Sequence, residues 1–208
     1  MLIHRVPYFS QWESADLVPA FVAGTTPATA DPRWAASGAN DPIEYAYWAP
    51  RTCGIACLRM ALAYWRPDQP VPPAVPLARE CQDKGGYVPE GDKLHGLLYE
   101  PFATWIAERW GLHGQVHSNG LTGLQITKHL DTGGLAILSV HKTIRTPYVS
   151  PPQRGGHLVL AIGHDAGGLY IHNPSGLNYA TQQANYVPWA TLDRFFAQRG
   201  IELSPTYP

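Results

Sequence analysis

The sequence predicts an α+β fold, with helices in its first half and an antiparallel sheet in its second. Three observations carry that expectation. Cys53 to Trp65 sets Ile55, Leu58, Leu62 and Trp65 three, four and three residues apart, one apolar stripe at helical spacing. Residues 135–141, 157–163 and 169–173 are short, apolar runs of strand type, and the last two flank the turn-forming run Asp165-Ala166-Gly167-Gly168. Helices precede strands rather than alternating with them, which speaks against a parallel sheet.

The remaining elements follow in chain order. Residues 2–12 read as an extended segment broken by Pro7, and residues 13–51 as an irregular insertion without helical or strand period. So long an irregular stretch is either a loop pinned by its aromatics or a lid facing substrate. Thr52 is a candidate N-cap for the central helix and Pro67 a candidate stop. A Pro-rich connector over 66–76 leads to a short helix near 77–84, ended by Gly85 and Gly86. A longer helix spans 93–110, with Pro101 as a kink or as the start of its second half. A third amphipathic helix covers 121–132 before Gly133 and Gly134, and a short one covers 190–198.

Composition narrows the class. The chain has 208 residues, 45% of them apolar and 15% charged, which suits a single packed domain over 1–208. Glycine and proline number 20 each, an excess that predicts shaped loops, with seven tryptophans and eleven tyrosines to pack them. A net charge of −1 provides no field for a nucleic-acid backbone. No apolar run has the length of a signal peptide or a bilayer span, so neither membrane nor nucleic acid is an expected partner and the cytoplasm is the default location. Three cysteines make a poor disulfide framework.

One of those cysteines is placed for chemistry. Cys53 opens the central helix, where unpaired N–H groups and the partial positive charge favour a thiolate, and Gly54 leaves space beside the sulfur. The alternative is a small buried filler, the expectation for Cys57 one turn later and one reading of Cys81. His157 follows Gly155 and Gly156 at the mouth of a buried strand, and Asn173 ends the next strand. If residues 165–167 form a three-residue loop with Gly167 left-handed, Gly168 pairs with His164, and Asn173 falls opposite residue 159. His157 then pairs with residue 175, and His157 and Asn173 share one sheet face as diagonal neighbours. The Asn173 carbonyl would take one imidazole N–H and leave the other nitrogen for Cys53, supporting an imidazolium–thiolate pair. His164 and His172 lie on the same strands and raise a metal site as the competing reading, but no carboxylate or thiol completes one, so no metal and no cofactor is expected. Gln11 is either an ordinary polar residue or, beside the nucleophile, an oxyanion donor with the Cys53 N–H. Tyr45, Tyr47 and Trp48 stand shortly before Cys53 and could line or roof a groove; Trp48, Gly54 and Gly156 are the expected substrate contacts.

VPYFSQW, CGIACLRMALAYW, GGLAILSVH and GGHLVLAIGHDAGGLYIHNPSG together resemble the bacteriocin leader peptidase family and its stand-alone relatives, within the papain-like superfamily. The resemblance covers residues 6–12, 52–65 and 121–176, and extends to VPWATLDRFFAQRG. It implies a papain-like fold, with Cys53 as nucleophile, His157 as base, Asn173 where relatives carry Asp or Asn, and Gln11 as oxyanion donor. Three features depart from the family. Gln11 and Cys53 are 42 positions apart where relatives have only a few, Ile55 stands where relatives often have proline, and no transporter domains follow. The implied activity is hydrolysis of a peptide or other amide through an acyl-enzyme. The same intermediate resolved by an amine or thiol would give an acyltransferase, as in the phytochelatin synthases, and a papain-like scaffold without activity would be a binding module.

Overall fold

Alternation along two central strands decides where everything else packs. The computed structural model describes residues 1–90, 93–94, 96–148 and 150–206. In chain order it contains β1 (Leu2–Ile3), α1 (Val18–Ala23), α2 (Pro42–Trp48), α3 (Cys53–Trp65) and α4 (Ala74–Asp83). The short pair β2 (Pro89–Glu90) and β3 (Lys93–Leu94) follows, then α5 (Tyr99–Trp110), β4 (Leu112–His117), α6 (Gly123–Asp131) and β5 (Leu135–Val140). The chain ends with β6 (His157–His164), β7 (Gly168–His172), α7 (Tyr179–Gln182), β8 (Asn185–Pro188), α8 (Trp189–Phe195) and β9 (Phe196–Pro205). The fold is α+β: the main sheet runs β4-β9-β5-β6-β7-β8 with β1 added beside β6, and its pairings are antiparallel. Among the described residues no helix is long and apolar enough to cross a membrane.

On β5 and β6, Leu135, Ile137, Leu158, Leu160 and Ile162 pack with α3, α4 and α5, while Ala136, Leu138, Val140, Val159 and Ala161 pack with α6 and α8. Strand side chains alternate between faces, so each strand serves both cores and reads as one apolar run. Helix α3 lies on the first face with Ile55, Leu58 and Leu62 buried. Burial at about 25 cal/mol per Å² of apolar surface is what holds it there.

Several boundaries differ from the sequence expectation. Helix α4 begins at Ala74, because Pro76 sits in its first turn, where no N–H is required. Helix α5 begins at Tyr99 with Pro101 likewise in its first turn, so Pro101 starts the helix and does not kink it; residue 95 of the longer helix expected there lies outside the described residues. Helix α8 stops at Phe195, and the chain turns directly into β9, a strand not anticipated, as β4 and β8 were not. The insertion is not irregular. It folds as α1, α2 and short 3-10 turns around a satellite core of Trp12, Val18, Tyr45 and Ala49. Asp31 ties it together, its buried carboxylate accepting from Ser14 Oγ (2.6 Å), Ser14 N, Arg33 N and the Tyr45 hydroxyl.

The β6–β7 hairpin is tighter than expected. Asp165 N donates to Gly168 O at 3.0 Å, so the loop is Ala166 and Gly167 alone, and Gly167 is not left-handed. Asp165 Oδ1 accepts from the N–H groups of Gly167 and Gly168, which closes the turn without a positive φ. His164 therefore pairs with Leu169. The register then shifts at Ile162, so Ala161 lies opposite Ile171 and Leu160 opposite His172, as the longer loop would have set them.

Candidate active site

Cys53 is the first residue of α3. Thr52 occupies the N-cap position but makes no side-chain cap; its hydroxyl donates to Ala49 O at 3.3 Å instead. The first-turn amides stay available, and the backbone N–H groups of Cys53, Gly54 and Leu158 favour the thiolate form of Cys53. Leu158 follows His157 directly and packs close to Gly54, which sets the helix start against the mouth of β6. The thiol is half-buried, whereas Cys57 and Cys81 are fully buried in the apolar core.

His157 meets Asn173, with Nε2 2.8 Å from Oδ1. The orientation of the amide follows from a third residue. Ser175 N donates to the same Oδ1 at 3.1 Å, and a backbone N–H requires an oxygen there. An acceptor at 2.8 Å makes Nε2 the protonated ring nitrogen. Nδ1 keeps its lone pair and has no hydrogen-bond partner among the described residues, and His157 lines the cavity that Cys53 also lines. The sulfur and the ring are not hydrogen-bonded in this resting structure, a looseness common before substrate binds. Ser175 Oγ adds a contact at 3.0 Å to His157 Nε2 and accepts from Arg145 Nη2 at 2.9 Å. Neither Ser175 nor Arg145 was anticipated. Ser175 had a signal, since the expected register pairs residue 175 with His157; Arg145 had none.

Burial sets the protonation of this pair. It pushes the Cys53 thiol up, against the three N–H groups and the Arg145 charge that pull it down. It pushes His157 down from 6.5 to about 4, more than the Asn173 bond raises it, and the charges of Arg145 and His141 push the same way. Burial thus works against the thiolate and imidazolium that the helix start favours, desolvation opposing the helix terminus.

Gln11 reaches the site across the insertion. Its backbone N donates to Pro174 O at 3.0 Å, one side-chain N–H goes to Ala49 O at 2.9 Å, and the residue lines the same cavity as Cys53 and His157. Trp48 does not line it. It is buried in the core, edge-on to Tyr47 and Tyr87, because the helical turn of α2 aims it inward. Gly54 also lies away from the cavities: a Cβ there would stand 2.6 Å from Leu97 Cδ2 and 3.0 Å from Leu158 Cδ1, so its bare backbone serves close packing and opens no space beside the sulfur. Gly156 lines both cavities, with a left-handed φ of 95° and no atom within 4 Å of where its Cβ would stand. His164 contacts Asp131 at 2.9 Å, and His172 lies between Val6 O and Ala184 N. Among the described residues no group of three or more His, Cys, Asp or Glu could hold a metal ion.

Two cavities meet over Cys53, sharing Pro50, Cys53 and Gly156 as walls. The smaller, about 300 Å³, runs between Tyr87, Leu94, Leu97, Tyr99 and Leu158. The larger, about 600 Å³, holds Gln11 and His157 and is walled by Trp12, by Phe21 and Val22 of the insertion, and by Lys142 and Arg145. The insertion is thus pinned on its own core and at the same time forms one wall of the cleft. Among the described residues the buried side-chain polar atoms without a partner are Gln11 Oε1, Arg145 Nε and Asn173 Nδ2, and all three belong to this site. Native interiors leave few such groups, and those they leave tend to mark function.

The family model described as the Peptidase_C39 like family matches residues 3–200. Among solved structures, a candidate C39-like peptidase from Bacillus anthracis has the same fold, with a TM-score of 0.54 at 15% sequence identity over 76% of this chain and 90% of that one. No curated protein sequence matches the chain.

Proposed function

Since the chain belongs to the Peptidase_C39-like family, we propose that it is a cysteine peptidase that cleaves a peptide bond through an acyl-enzyme on Cys53. His157 is the general base and then the general acid, Asn173 orients it, and Gln11 with the Cys53 N–H holds the oxyanion. The observation that carries this reading is the Ser175–Asn173–His157 arrangement, which leaves Nδ1 unprotonated on a residue that lines the same cavity as Cys53.

In the first step Nδ1 takes the thiol proton as the sulfur bonds to the scissile carbonyl carbon. The carbonyl oxygen becomes an oxyanion facing the Cys53 N–H and the second Gln11 side-chain N–H. Collapse breaks the C–N bond, and the imidazolium gives its proton to the leaving amine. Water then adds to the thioester with His157 taking one of its protons. The C–S bond breaks, the sulfur regains a proton, and the acid is released. Burial of both groups suits this sequence, because it disfavours the charge pair before the substrate is attacked.

Incubation of the protein with a mixture of unstructured peptides, read by mass spectrometry, tests the reading. Cys53→Ala and His157→Ala should each lower cleavage at least about 10³-fold. Equal cleavage by Cys53→Ala would overturn it.

A further inference from the structure

The two cavities divide the substrate at its scissile bond. His157 has to hand its proton to the leaving amine, and it lines only the larger cavity, so the leaving half lies there. That assignment rests on the catalytic reading above. The larger cavity contains Lys142 and Arg145 and no Asp or Glu among its lining residues.

Arg145 is the unusual member. It is half-buried, its Nη2 is spent on Ser175 Oγ, and its Nε is sealed from solvent with no partner. Among the described residues no carboxylate pairs with it. A guanidinium drawn partly out of water is normally matched by an anion, since an unmatched charge there is destabilising. The other arginines near Cys53 differ. Arg51 lies 4.4 Å over the Tyr47 ring and donates to Tyr47 O, and Arg199 is exposed and donates to Ser139 Oγ. Arg145 is also held in place. It ends the 3-10 turn Lys142–Arg145, which the His141 side chain caps and the buried Ile144 anchors. Its link to His157 runs through one hydroxyl, at 2.9 and 3.0 Å, so an anion on its free edge would sit within one or two residues of the scissile bond.

We propose that the leaving-group side of the cleft is a carboxylate-binding subsite built on Arg145, with Lys142 at its rim, and that preferred substrates carry a carboxylate within two residues after the cleaved bond. The carboxylate is either the free C-terminus of a short leaving segment or an Asp or Glu side chain; a planar guanidinium fork serves both.

Calorimetric titration of the Cys53→Ala protein tests this without depending on turnover. The probes are acetylated tetra-alanine as free acid, the same peptide as its amide, and amidated versions with aspartate or asparagine at the third position. The free acid or the aspartate peptide should bind at least tenfold tighter than its uncharged match, and which of them does so identifies the source. Adding Arg145→Gln should bring that ratio close to one, and adding Lys142→Gln should reduce it partly. Equal binding of charged and uncharged peptides, or a ratio unchanged by Arg145→Gln, would overturn the subsite. Absence of cleavage by the unmodified protein would instead overturn the catalytic reading.

Discussion

Asn173 Oδ1 lies 2.8 Å from His157 Nε2 and 3.1 Å from the Ser175 N–H, so one oxygen fixes both the amide orientation and the imidazole tautomer. An aspartate at this place would put a charge where Asn173 carries a sealed, unpartnered amide nitrogen. Asn173→Asp should raise the His157 pKa from about 4 by at least about one unit, because a buried carboxylate favours the imidazolium. Titration of the His157 ring by NMR measures this, and an unmoved pKa would mean the contact does not govern the ring.

His157 also links stability to pH. Its folded pKa, about 4, lies below its ordinary 6.5. Between those values the unfolded chain binds the extra proton, so stability is complete above 6.5 and falls as pH drops towards 4. The loss attributable to this residue is roughly 3 kcal/mol. Urea midpoints at several pH values should show the decline, and His157→Gln should flatten it. A residual slope should remain, because His141 and His172 are shifted in the same direction by burial.

Gly54→Ala should disturb binding more than folding. The added methyl meets the ends of Leu97 and Leu158, which can rotate, and both line the smaller cavity. The helix gains about 1 kcal/mol of propensity while crowding costs about 1–3. Thermal unfolding should therefore move by a few degrees at most, while KM rises several-fold. An unchanged KM would show that those two leucines do not contact substrate.

Asp31→Ala should loosen the insertion and leave the sheet intact. It removes the acceptor of the Tyr45 and Ser14 hydroxyls, both buried. Stranding two buried donors costs about 2–4 kcal/mol. Hydrogen exchange should rise across α1 and α2 and stay low in β5 and β6. Peptide cleavage should fall with it, because Trp12, Phe21 and Val22 are cleft walls.

The sequence was readable wherever periodicity or turn chemistry was local. The α3 stripe, the apolar β5 and β6 and the helix-then-sheet order needed no tertiary information. The insertion was not readable, because its order comes from Asp31 gathering donors from Ser14, Arg33 and Tyr45, a contact set with no period. The β6–β7 register was reached by two offsetting departures, a shorter turn and the irregularity at Ile162; the latter lies where β1 joins β6 and His4 N bonds Ile162 O, across the chain from any local signal. Strand β4 did carry a signal in the alternation of Leu112, Gly114 and Val116. At the site, Ser175 lay on the same parity as Asn173, whereas Arg145 comes from a turn that only the folded chain brings near.

The central claim is that the Cys53 sulfur carries the acyl group. Rapid acid quench of the protein during turnover of a peptide it cleaves, followed by intact-mass and peptide-level spectrometry, reads that bond directly. The account predicts an adduct of the acyl half on the peptide containing Cys53, absent in Cys53→Ala and more abundant when Asn173→Ala slows hydrolysis of the thioester. Steady product formation with no adduct on that peptide, and undiminished in Cys53→Ala, would contradict it.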